Sequence, residues 1–267
     1  MTRHPYIYAS LIRRLAAGSF IFFSCTGIAT RAPNIDEYCD TEYESLSDDT
    51  KYPGWGERIE HWISLESKCG GNARYELRLA ALYSLADRVD EAREALKRGL
   101  RTKSVLEKDL RLSLFDLDLR QGRLVEAEER ALALIKEFPD WRGGHRALGQ
   151  ILMTQERFEE SVSELELANK LEANAGTYTL LTMAYYKLGR YRESARSMQQ
   201  ALRLDRSKLT HTDAVLATAY SLVALGYTAQ ADDLLKKHAA VQPKALQVPA
   251  YAEAVRQVQA ASAKTSN

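Results

Sequence analysis

An all-α chain built as a stack of helical hairpins is what the sequence predicts, and three observations predict it. A six-residue turn motif recurs at a near-constant interval. Each copy is flanked by stretches with apolar residues at i, i+3, i+4 and i+7. Small residues hold fixed columns on both sides of each turn.

The first 32 residues stand apart from that pattern. No acid precedes Asp36, while Arg3, Arg13, Arg14 and Arg31 lie in that stretch. An uncharged run from Leu15 to Thr30 follows Arg14, most apolar at Phe20–Phe23. A basic region before a short apolar one is the layout of a signal peptide or membrane-targeting segment; its densest apolar part, Leu15 to Cys25, is too short to span a bilayer, and an uncleaved anchor extending to Ile28 is the alternative. Its end reads in two ways. Gly27 and Ala29, or Thr30 and Ala32, suit ordinary cleavage. Alternatively, Phe22 to Cys25 resembles the lipobox of bacterial lipoproteins, which implies lipidation of Cys25; Phe22 stands where that family usually has Leu.

Residues 33–56 read as an acidic tether. Asp36, Glu37, Asp40, Glu42, Glu44, Asp48 and Asp49 face one cation, Lys51, among prolines and glycines, a solvated and irregular composition. Residues 57–72 read as an N-terminal capping helix, with Ile59, Trp62 and Ile63 at helical spacing. With Cys25 removed or lipidated, Cys39 and Cys69 form an even pair, and an oxidising compartment would allow a disulfide between them. Free thiols are the alternative. A zinc site of Cys39, His61 and Cys69 lacks a fourth ligand, so no metal is expected.

The repeats occupy residues 73–245. The turn beginning at Asp87 recurs at Gly122, Glu156 and Gly189, and more loosely at Gly226, at intervals of 35, 34, 33 and 37 residues. Ala80, Gly149, Thr182 and Ala219 before the turn, and Ala92, Ala127, Ser161, Ser194 and Ala231 after it, let two helices approach closely. Leu79, Leu114, Leu148 and Leu181, with Val89, Leu124, Phe158 and Tyr191 at the turn, fill the space between. One hairpin cannot bury such a face, so stacking is required. Residues 246–267 read as a C-terminal capping helix, with Ala254, Val255 and Val258 at helical spacing, and a frayed tail from residue 262.

The period and these columns resemble the tetratricopeptide repeat (TPR) family, in five units starting near residues 73, 108, 142, 175 and 212. The third and fourth match best, with Leu148, Gly149, Leu152, Phe158, Ser161, Leu165 and Ala168, then Tyr178, Tyr185, Gly189, Tyr191 and Ala201. Phe115, Asp118 and His238 depart from the columns, which usually hold a small residue, Tyr or Leu, and Ala. The resemblance implies a right-handed superhelical solenoid whose first helices line a concave groove. Carried over, the groove positions are Asp116, Arg120, Arg146, Gln150, Met183, Tyr186, Lys187, Leu216 and Tyr220, implying a protein or peptide partner. Relatives that grip chaperone C-termini carry a basic clamp; Leu77, Ala81, Leu112 and Asp116 stand in its place, which argues against that ligand.

No H-E-x-x-H, Walker-type, G-x-G-x-x-G or G-x-S-x-G motif occurs, so no catalytic residue, cofactor or small-molecule substrate is expected. His145 reads as a surface residue at a helix start. Lys and Arg number 37 against 36 Asp and Glu, with no basic run, so nucleic acid is not an expected partner. The sequence therefore predicts a non-catalytic interaction scaffold exported to the bacterial envelope, in the periplasm or as an outer-membrane lipoprotein. The alternatives are a soluble cytosolic or organellar adaptor and an accessory subunit of a polysaccharide-export or pilus machine.

Overall fold

The computed structural model describes residues 35–265; the segment read as a signal or targeting sequence, and the expected lipidation of Cys25, lie outside them. Among the described residues every regular element is helical, in the expected pattern of consecutive hairpins. They form two compact units that part between Gly122 and Arg123. The repeat run of residues 73–245 is thus shared between the units.

The first unit contains α1 (Ile35–Ser45), α2 (Trp55–Ser64), α3 (Glu66–Cys69), α4 (Ala73–Leu85), α5 (Val89–Arg101) and α6 (Glu107–Arg120). Its N-terminal part corrects the tether reading. Residues 35–45 are a helix packed on the first repeat, and Cys39, Tyr43, Leu46 and Tyr52 are buried. Cys39, Tyr43 and Leu46 follow helical spacing, a narrow apolar face concealed by the surrounding acids. Three of those acids meet bases: Arg78 of α4 donates to Asp40 at 2.5 Å and to the Cys39 carbonyl at 3.2 Å, Glu42 lies 2.9 Å from His61, and Asp49 pairs with Arg58. A disulfide joins Cys39 to Cys69, with the two Cα atoms 5.8 Å apart. The expected single helix over 57–72 is two, broken at Leu65.

Trp62 is the centre of this cap and fully buried. Its ring stacks on Tyr75 at 5.2 Å and meets Tyr43 edge-on at 5.2 Å. The Arg78 guanidinium lies over both the Tyr43 and Trp62 rings, 4.6 and 5.8 Å from their centroids. Burial pushes the Tyr43 phenol up to about 12, so it remains protonated at neutral pH.

The second unit contains α7 (Leu124–Glu137), α8 (Arg142–Thr154), α9 (Phe158–Leu171), α10 (Ala175–Lys187), α11 (Tyr191–Leu204), α12 (Thr212–Ala224), α13 (Thr228–Val241) and α14 (Pro249–Thr265), with 3-10 turns at Arg206–Thr210 and Pro243–Gln247. The close approach within a hairpin is visible at Gly149. A Cβ there would lie 2.6 Å from Leu165 Cγ and 3.2 Å from the Ser161 carbonyl oxygen. Ser161 Oγ donates to the Gly149 carbonyl at 2.6 Å, and Ser194 Oγ to that of Thr182 at 2.9 Å. These columns need small side chains, and their hydroxyls need the facing backbone.

All five turns place their first residue at positive φ: Asp87, Gly122, Glu156, Gly189 and Gly226. The following N–H closes the helix end, as from Arg157 to the Leu152 carbonyl at 2.9 Å. Glu156 accepts this conformation without the freedom of glycine.

The last helix, α14, packs on α12 and α13 and runs to Thr265, so residues 262–265 are helical rather than frayed. His238 of α13 is fully buried beneath it. The ring stacks on Tyr251 at 5.3 Å, Nε2 lies 3.3 Å from Thr212 Oγ1, and Nδ1 has no hydrogen-bond partner. Burial holds the His238 pKa below the usual imidazole value. The folded state therefore favours neutral His238, and the unfolded chain takes up the proton first as pH falls below about 6.5. Stability from this site is full above that pH and declines beneath it. Chemical denaturation at pH 7.5 and 5.5 should show a loss of stability in the second unit that is smaller in His238→Ala. Equal losses in both proteins would contradict the assignment.

Candidate partner-binding groove

The nine groove positions divide between the units. Asp116 and Arg120 belong to the first. Asp116 is half-buried on α6. Arg120 donates to the Ser84 carbonyl at 3.1 Å and lies 4.0 Å from Asp87, so it ties α6 to the C-terminal end of α4, where a cation is favoured.

The other seven lie on the first helices of the second unit: Arg146 and Gln150 on α8, Met183, Tyr186 and Lys187 on α10, Leu216 and Tyr220 on α12. The structure brings four of them together. Met183, Leu216 and Tyr220 share an apolar cluster with Tyr251 and Val255 of α14, and Tyr186 stacks on Tyr220 with centroids 5.9 Å apart. Leu216 is buried, 7% exposed, which removes it from any binding surface; α14 packs on its helix and covers it. Tyr220 stays half-exposed, its hydroxyl 3.5 Å from the Ala250 carbonyl.

Arg146 and Gln150 are half-buried and Lys187 exposed. Neither Arg146 nor Lys187 makes an ion pair among the described residues. Burial raises the pKa of Tyr186 and of Tyr220, so both phenols are protonated donors at neutral pH. The resulting surface is two stacked aromatic rings and a methionine, with two cations on neighbouring first helices. Such a surface can cover an apolar side chain and meet an acidic group beside it.

Tyr191 escaped the sequence reading as a site residue. Its ring lies 6.2 Å from that of Tyr186 and extends the aromatic set. It shares a turn column with Val89, Leu124 and Phe158, where an apolar filler is expected, and only the contact distinguishes it.

His145 is buried rather than on the surface. Nδ1 lies 2.7 Å from Glu164 Oε2 and Nε2 2.9 Å from the Pro139 carbonyl, so the ring ties α8 to α9 and to the preceding turn. Among the described residues no three His, Cys, Asp or Glu side chains are grouped to hold a metal, and no helix is long and apolar enough to cross a membrane.

A tetratricopeptide repeat model matches residues 175–208, the fourth unit. No curated protein matches the chain. Among solved structures, a chain of the APC/C hetero-tetramer Cut9–Hcn1 is similar at 16% identity and a TM-score of 0.68, over 86% of this chain and 44% of that one. Yeast Tom70 is similar at 13% identity and a TM-score of 0.66, over 88% and 48%. PilF of Pseudomonas aeruginosa is similar at 14% identity and a TM-score of 0.59, over 82% and 97%. The chain spans less than half the length of the first two. At these identities the likeness is one of fold: consecutive helical hairpins stacked as here.

Proposed function

Because the chain is built of tetratricopeptide repeats, a fold of protein–protein interaction scaffolds, we propose that it is a non-catalytic scaffold that holds a partner polypeptide in the groove of its second unit. The observation that carries this reading is the half-exposed Tyr186–Tyr220 stack beside Met183, with Arg146 and Lys187 unpaired. An apolar segment bearing an acidic residue suits it. A Tyr186→Ala, Lys187→Glu double variant should recover the partner from its own host with at least tenfold lower yield, at unchanged helical content. Undiminished recovery would place binding elsewhere.

A second reading concerns location. The acid-free N-terminal segment and the Cys39–Cys69 bond support export to the envelope, since such bonds persist in oxidising compartments. On this reading Cys25 is acylated, or the segment is simply cleaved. The intact mass of protein from its own host should correspond to Cys25–Asn267 plus acyl chains and rise by two hydrogens on reduction. An unprocessed mass with no reductive shift would leave the cytosolic adaptor. Co-purification of a polysaccharide-export or pilus component would instead assign it to such a machine.

A further inference from the structure

The five hairpins serve as controls for one another, and one differs on its outer helix. Aligned on their turns, the second helices hold Asp90, Val125, Glu159 and Ala229 at the position of Arg192, and Glu94, Glu129, Ser163 and Asp233 at that of Arg196. Acids there suit the positive end of a helix, and several pair with bases one turn on: Glu94 with Lys97 at 2.7 Å, Asp233 with Lys237 at 2.6 Å. On α11 both positions are arginine, against that preference. Arg203 continues the line two turns further along the same face, and Arg206 opens the following 3-10 turn. From Arg192 to Arg203 the line extends about 16 Å at ~1.5 Å per residue.

All four are exposed, and none makes an ion pair or side-chain hydrogen bond among the described residues. The neighbouring Arg190 does, to Glu193 at 3.0 Å. The line has Gln199 in its midst, and the only large exposed apolar residue on the helix is Leu204 at its far end.

We propose that the outer face of α11 is a docking surface for an anionic phospholipid bilayer. Four unpaired guanidinium groups, two of them (Arg192 and Arg196) set toward a helix start that disfavours cations, define a complementary anionic ligand. A protein partner would need a buried apolar anchor at the centre of its contact, and this face offers none. A bilayer needs none, because its headgroups move laterally to meet fixed cations. This surface is independent of the groove and of any acyl chain on Cys25. It would orient the second unit against the membrane.

The test uses the full chain and a variant with Arg192, Arg196, Arg203 and Arg206 each changed to Gln, all four positions being exposed. Partition is measured by co-sedimentation onto phosphatidylcholine vesicles with and without phosphatidylglycerol. The N-terminal segment is common to both proteins, so the change in lipid preference reports α11. Each arginine should contribute about fivefold, and the variant should lose preference for the anionic vesicles by on the order of several hundredfold. Half-molar salt should largely abolish the wild-type preference. The same preference in both proteins would overturn the proposal. So would arginine-dependent binding to polyglutamate without preference for anionic vesicles, which would make the face a site for an acidic protein.

Discussion

Trp62→Ala should destabilise the first unit by about 3–5 kcal/mol, the range for deleting a large buried aromatic side chain. Trp62 is fully enclosed between Tyr43 and Tyr75, and the Arg78 guanidinium lies over its ring. Its loss leaves a cavity and a largely buried cation facing it. Both effects fall on the contact between the N-terminal cap and α4, so the cap should open before the repeats unfold. Hydrogen exchange of amides in α1 and α4, with denaturation followed by circular dichroism, measures this. A shift below about 1 kcal/mol would show that the cap does not depend on the Trp62 cluster.

Asp118→Ala is expected to cost the first unit about 3–5 kcal/mol for a different reason. Asp118 is 1% exposed and pairs with Arg93 at 2.8 Å, whose side chain is 13% exposed. Removing the carboxylate leaves a poorly solvated guanidinium. Replacing both partners, Asp118→Leu with Arg93→Met, should restore most of the stability, because an apolar pair of similar volume carries no desolvation penalty. A double-mutant cycle gives the coupling directly. Strictly additive effects would mean that the pair contributes nothing.

Asp118 also shows what the sequence could convey. The repeat, its turns and its small columns were legible because stacking imposes the same steric demand every 33 to 37 residues. Departures from the columns were legible as departures, without their reasons. Asp118 answers Arg93 of the neighbouring helix, and His238 takes the place of a small residue because Tyr251 stacks on it. Each reason is a contact between elements, which no column encodes.

The acidic segment before the repeats misled by composition. Seven acids against one lysine suggest solvation, yet Cys39, Tyr43 and Leu46 suffice for a buried face once Arg78, His61 and Arg58 meet the acids. For the nine carried-over positions, the helix each falls on was readable and its burial was not. Leu216 is buried in one cluster with Tyr251 and Val255 of α14, a helix read as a cap on the last repeat, but its spacing did not say which side chains it would bury. The arginines of α11 make no run in the chain, and they align only when wound on a helix.

If the second unit's groove holds a partner polypeptide, the side chains that line it should crosslink to that partner. The most direct measurement is site-specific photocrosslinking in the native host, with a photoreactive residue at Met183, at Tyr186, or at the exposed Glu129 on α7. One shared adduct is expected from Met183 and Tyr186, absent from Glu129 and lost on Lys187→Glu. Crosslinks from Glu129 with none from the groove would contradict it.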